Sequence, residues 1–172
     1  MEPIKDFDKV QASGDFERLP AGGYVVKITA VEDKPKLSYL LITYDIAEGK
    51  FAGHFKDTDE KLVGIHQFIR SYKATALGMF KGFINAIEAS NEGYKWKWDE
   101  DTLVGKIVGI VLGEEEYENN RGEIKNGLKV RSCRTADSIR KGDFKVPEPT
   151  KLERAAAIPD GFTALTDNDL PF

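Results

Sequence analysis

Cysteine is nearly absent from this chain: Cys133 is the only one in 172 residues. A single thiol excludes an intramolecular disulfide and any cysteine-based zinc site, and it is compatible with a reducing cytosol. Histidine is almost as scarce, with His54 and His66 alone, so Cys133 reads as a packing residue. No charged-then-apolar leader and no run of 18 apolar residues occurs, which leads us to expect a cytoplasmic protein without a membrane span. Also missing are a Ser/His/Asp arrangement, a phosphate-cradling glycine loop and an HExxH motif, so neither an enzyme nor a cofactor or metal is expected. Positive charge is in deficit too. The formal net charge of −4 argues at first sight against a nucleic-acid partner. Placement changes that reading, because from Ala155 onward there are three acids (Asp160, Asp167, Asp169) and no Lys or Arg. Most of the net negative charge therefore sits at the end, and a near-neutral body can still carry a basic stripe.

With 41% hydrophobic residues, the chain can bury one core and is expected to form one domain with an arm and a tail. Residues 1–18 are too sparse in apolar positions for a confident element and read as an N-terminal arm. Leu19–Gly23 is turn chemistry leading into a strand, Tyr24–Val31, whose alternation puts Tyr24, Val26, Ile28 and Ala30 on one face. After the basic turn Lys34-Pro35-Lys36, Tyr39–Ile46 reads as a second strand, with Leu40, Ile42, Tyr44 and Ile46 facing one way. Phe51–Lys56 is expected to extend the meander. Val63–Tyr72 resumes extended character, with His66, Phe68, Arg70 and Tyr72 on one face. The period then changes to three and four over Ala74–Asn91, an amphipathic helix for which Thr75 is a possible cap. Tyr94-Lys95-Trp96-Lys97-Trp98 is a loop or edge element. Leu103–Leu112 is a strand in which Gly105 and Gly109 suggest curvature or close backbone approach. Glu114–Gly127 is a charged hairpin tip, and Leu128–Thr135 returns with Lys129, Arg131 and Cys133 on one face. From Val146 prolines punctuate an aperiodic stretch, which sets the domain at residues 19–145 and a flexible tail at 146–172.

Mainly β with one helix after the third of five strands is the order of an OB-fold, a five-stranded, partly open Greek-key barrel that often binds oligonucleotides. Binding single strands without sequence preference needs aromatic faces for base stacking and cations that track phosphates. The His66, Phe68, Arg70, Tyr72 face supplies both, although an aromatic at strand spacing is as readily core. Trp96 and Trp98 are indoles in a lysine-rich segment, and Tyr39 faces away from the inferred core. Lys27, Lys34, Lys36, Lys106, Lys125, Lys129 and Arg131 fall on outward strand positions or hairpin tips. These fourteen side chains are the candidate DNA-binding set.

The last six residues, Asp167-Asn168-Asp169-Leu170-Pro171-Phe172, combine carboxylates for Arg or Lys with Leu170 and Phe172 for an apolar pocket. Pro171 fixes φ between them and lowers the ordering cost of binding. This hexapeptide resembles the acidic, Pro-Phe-ending tip of bacterial and phage single-stranded DNA-binding proteins. The LPAGGY stretch (Leu19–Tyr24) and the LVGKIVGIVLGEEEY stretch (Leu103–Tyr117) are similar to a phage group of the same OB-like proteins. The resemblance implies protection of single-stranded DNA in phage replication, recombination and repair. It also implies homo-oligomeric assembly, residence in the host bacterial cytoplasm, and a disordered tail that recruits replication and recombination proteins through Asp167, Asp169, Leu170, Pro171 and Phe172. Two readings come from other classes. One is an interaction adaptor built on the barrel; the other is a nuclease holding Mg²⁺ through Glu114, Glu115, Glu116 and Glu118 beside Asn119. Consecutive glutamates on a hairpin point in alternating directions, which favours a solvated, edge-protecting cluster.

Overall fold

A computed structural model describes residues 19–56 and 66–152. Five strands form one antiparallel sheet: β1 (Gly22–Lys34), β2 (Tyr39–Ile46), β3 (Gln67–Ser71), β4 (Ile107–Glu118) and β5 (Ile124–Arg134), in the spatial order β3-β2-β1-β4-β5. The main helix, α1 (Leu77–Ser90), lies between β3 and β4 in the chain, and a short α2 (Ala136–Arg140) follows β5. Among the described residues no helix is long and apolar enough to cross a membrane.

The sheet is organised around β1, which is long enough to serve two partners. Its first half pairs with β4 from Gly22↔Leu112 to Lys27↔Ile107, and its second half pairs with β2 out to Lys34↔Tyr39. The β2 pairing begins at Val26↔Ile46, overlapping the β4 pairing at Val26 and Lys27, and a bulge between Ile28 and Ala30 interrupts it. Such an extra residue bends a strand and increases its twist, which makes the sheet barrel-like. It also shifts the phase of alternation. Ala30, expected on the core face, is exposed, and Val31 packs against the core instead. Beta2 has no irregularity, and Leu40, Ile42, Tyr44 and Ile46 are all buried as the alternation predicts.

The core joins these side chains to Val26, Ile28, Phe68, Val108, Ile110 and Leu112 from the sheet and to Phe80, Phe83, Ile84, Ala86 and Ile87 from α1. Complete burial of such a side chain contributes roughly 1.5–3 kcal/mol relative to leaving it in water. The two edge strands, β3 and β5, share no backbone ladder among the described residues. Side chains join them: Arg70 Nη2 on β3 donates to Cys133 Sγ on β5 at 2.8 Å.

Several expectations need correction. Phe51–Lys56 is a series of turns rather than a strand, with Gly53 N donating to Ile46 O and His54 N to Phe51 O. The cause is Asp45, whose carboxylate accepts from both Ile46 N and Phe55 N and folds the chain back. Thr75 does not cap α1: a 3-10 turn over Ala74–Ala76 precedes the helix, whose N-cap is Ala76. The strand expected from Leu103 begins at Ile107, because Glu100–Leu103 forms a 3-10 turn capped by the Asp99 carboxylate, with Leu103 wholly buried. In β5 an irregularity opposite Val111 and Leu112 makes Arg131 an extra residue. Cys133 therefore joins Leu128 and Val130 against the core rather than sharing a face with Lys129. Gly109 does mark a close approach, since a Cβ there would lie 2.5 Å from Ile139 and 2.7 Å from Thr135 O.

Beyond the boundary expected near residue 145, the chain still touches the sheet. Thr150 forms a parallel bridge with Glu115, through Glu116 N to Thr150 O and Thr150 N to Glu114 O, both 2.9 Å. It thus occupies the β4 edge that β1 leaves open beyond Leu112. The arm and the terminal hexapeptide with Asp167, Asp169, Leu170, Pro171 and Phe172 fall outside the described residues.

Candidate nucleic-acid interface

The expected DNA-binding side chains separate into an interior set and three surface groups. His66, Phe68 and Arg70 belong to the interior, with exposures of 8%, 7% and 7%. Their shared face is real, but it is the inner face of β3, since Phe68 must fill the core between Tyr44 and Phe83. The Arg70 guanidinium lies 4.7 Å from the Phe68 ring centroid and 5.8 Å from that of Phe83, and Nη1 donates to Ile69 O. His66 stacks on Phe55 at 5.2 Å. Residues held this way face the core rather than the surface. Tyr72 is partly buried against Phe80, and its hydroxyl donates to Asp33 Oδ1 at 2.9 Å. Burial and this bond push its phenol above the ordinary value. Tyr72 thus pins the end of β3 to the end of β1.

The first surface group is the loop between α1 and β4. Asn91 fixes both of its ends: Nδ2 donates to Ile87 O and Ile107 O at 2.8 Å, while Oδ1 accepts from Ile107 N at 3.0 Å. From the last turn of α1, Glu88 accepts from Trp96 N at 2.9 Å and from Lys95 Nζ at 3.0 Å. The Trp96 N–H and then the Lys95 ammonium hold its carboxyl below the usual range. Trp96 packs against the core, and its Nε1 is buried without a hydrogen-bond partner among the described residues. Trp98 is the opposite case. Its indole is 82% exposed and its backbone sits at φ 62°, a left-handed conformation that non-glycine residues seldom adopt. The two indole centroids are 6.2 Å apart. Nearby, the Lys106 ammonium lies 4.9 Å from the Tyr94 centroid, and a shallow depression is lined by Tyr94, Lys95, Lys97, Thr102 and Lys106. Of the candidate set, Trp96, Trp98 and Lys106 fall in this group. The same depression brings Tyr94, Lys95 and Lys97 beside Lys106, as the aromatic-lysine alternation of that run suggests.

The second group surrounds the β1–β2 turn. Tyr39 is opposite Lys34 on one side and Ser71 on the other, on the outer face of the sheet with Leu41 and the half-exposed Ile69. Lys36 is exposed, and Lys34 pairs with Glu32. Lys27 lies on the outer face of β1 opposite Asp45. The third group is on β5. Lys125 and Lys129 are exposed and form ion pairs of 3.5 Å with Glu123 and Glu115, while Arg131 Nη2 donates to Thr150 Oγ1.

The glutamates of β4 do not converge. Glu115 faces Lys129, Glu116 accepts from Leu152 N at 3.2 Å, and Asn119 organises the hairpin turn by accepting from Arg121 N and Glu123 N. No group of three or more His, Cys, Asp or Glu side chains among the described residues could hold a metal ion. Aromatic faces beside ammonium groups are suited to non-covalent binding of bases and phosphates. No protein-family model matches this chain, and no curated protein matches it either.

Proposed function

We propose that this chain coats single-stranded DNA without sequence preference, with Trp98 and Trp96 stacking on bases while Lys95, Lys97 and Lys106 meet phosphates. The observation that carries the reading is Trp98, a large apolar ring left in solvent on a left-handed residue. Backbone strain of this kind costs roughly 1–3 kcal/mol and persists where function uses it. An exposed indole gains nothing comparable by packing, whereas a stacked base contributes ~1–3 kcal/mol.

The strand order, with the helix between the third and fourth strands, supports the finer assignment of the barrel as an OB-fold. In that fold the outer face of strands two and three and the flanking hairpin loops take oligonucleotides. Here that face carries Tyr39, Leu41 and Ile69, with Lys34 and Lys36 beside it and Lys125 and Lys129 on the other hairpin. In the same reading the terminal hexapeptide recruits replication, recombination and repair proteins. Several tethered tails along one strand raise their effective concentration. Phage origin, homo-oligomeric assembly and cytoplasmic residence belong to this proposal as well.

Fluorescence anisotropy of labelled oligo-dT at a series of salt concentrations tests it. The logarithm of the affinity is expected to fall linearly with the logarithm of salt concentration, with a slope of about −0.7 per contacted phosphate. Absence of binding at low salt would leave the barrel as a protein-interaction platform.

A further inference from the structure

The loop that carries Trp96 and Trp98 leaves α1 at Asn91 and enters β4 at Ile107, and one side chain holds both points. Asn91 Nδ2 donates to Ile87 O, one turn back on α1, at 2.8 Å. That bond alone satisfies an orphan carbonyl at the helix end. The rest of the carboxamide is turned onto β4: Nδ2 also donates to Ile107 O at 2.8 Å, and Oδ1 accepts from Ile107 N at 3.0 Å. To Ile107 the amide presents the donor and acceptor that a neighbouring strand would present, and it does so across sixteen positions of chain. The main chain of Asn91 holds a third point, since its carbonyl accepts from Tyr94 N at 3.1 Å. Asn91 is thus bonded to Tyr94 directly and to Ile107, the chain neighbour of Lys106. Those two residues face each other, with the Lys106 ammonium 4.9 Å from the Tyr94 ring centroid, and both line the depression beside the indoles.

We propose that Asn91 is a positioning residue for single-strand binding. It meets no nucleotide itself; by fixing the end of α1 against the start of β4 it arranges Tyr94, Lys106 and the two indoles before DNA arrives. This role rests on the single-stranded DNA reading and adds to it how the binding loop is held. A surface assembled in advance spares the complex the cost of ordering it. When the arranged loop is only a fraction of the population, the apparent dissociation constant rises by the inverse of that fraction. A loop arranged one-tenth of the time therefore binds about tenfold more weakly.

The experiment compares the full chain with Asn91→Asp, Asn91→Ala and, as a control, Ile42→Val. Each is measured well below its thermal midpoint by labelled oligo-dT anisotropy at low salt and by tryptophan emission with and without DNA. Asp keeps the acceptor for Ile107 N while setting a negative oxygen against the two carbonyls, so it disturbs the clasp even where Ala loosens the fold. Ile42 is wholly buried on β2, away from the loop, and Ile42→Val lowers the midpoint by core truncation alone. Both Asn91 variants are expected to weaken binding about tenfold and to shift the emission of the free protein. Saturating oligo-dT is expected to restore quenching to the parent's level, because bound DNA arranges the loop again. Ile42→Val is expected to keep the parent's affinity and emission. A lowered midpoint in the Asn91 variants with binding within twofold of the parent overturns the positioning role and leaves the Trp98 reading intact. A parent chain that binds no oligonucleotide overturns both.

Discussion

Trp98 and Arg70 have contrasting roles at the level of single residues. Trp98 contributes little packing beyond its contact with Trp96 and holds a backbone conformation that glycine adopts freely. Trp98→Gly is therefore expected to leave the thermal midpoint unchanged or raise stability by up to ~1 kcal/mol, while weakening oligo-dT binding about tenfold. Loss of stability without loss of binding would assign the indole to packing. Arg70 is a buried cation whose bonds go to a sulfur and a carbonyl and whose faces rest on Phe68 and Phe83. Replacing such an ion with an apolar side chain of similar length is often neutral or stabilising, offset here by cation–π contributions of about 0.5–2 kcal/mol. Arg70→Met is expected to unfold within about 1 kcal/mol of the parent in a denaturant titration and to bind oligo-dT equally well. A several-fold loss of affinity in a folded Arg70→Met protein would return the guanidinium to the DNA face.

At the level of elements, the loop from Asn91 to Lys106 is tied to α1 through Glu88. Trp96 N and Lys95 bind the ionised Glu88 carboxylate and depress its pKa. A depressed carboxylate stabilises the folded arrangement above its unfolded value and loses that contribution as pH falls through the folded value. Acidification below about pH 4 is therefore expected to loosen the loop and shift tryptophan emission while the sheet persists in circular dichroism. In Glu88→Ala the loosened emission is expected at neutral pH, with no acid step; an unchanged acid step in that variant would remove Glu88 from the account. The sequence made the uninterrupted elements legible. Beta2 alternates without a bulge, and α1 buries Phe80, Phe83, Ile84 and Ile87 at helical spacing. It did not show the bulges at Thr29 and Arg131, because one extra residue leaves composition untouched while exchanging every later side chain between faces. The hydrogen bonds of Asp45, Asn91 and Asp99, which turn the chain or set a strand's start, depend on partners that no local pattern displays. The inner side of β3 is ambiguous in sequence for a related reason: a face of ring and cation looks alike whether it meets DNA or α1. The approach of Tyr117 to Gly127 likewise depends on the β4–β5 register, which no local pattern displays.

At the level of the whole molecule, one long bent strand curls the sheet, α1 closes it over the core, and Arg70 with Cys133 joins the two edges. This leaves the outer face, the Trp98 loop and the β4–β5 ribbon as surfaces of rings and ammonium groups on a body whose net negative charge lies mostly at its C-terminal end. In the proposed function this surface binds single strands by stacking and counterion release. Its most direct test is tryptophan fluorescence during titration of the full chain with oligo-dT at low and high salt. Stoichiometric quenching at low salt that weakens steeply at high salt is the predicted result. Unchanged emission, with no change in the anisotropy of labelled DNA at low salt, would contradict it.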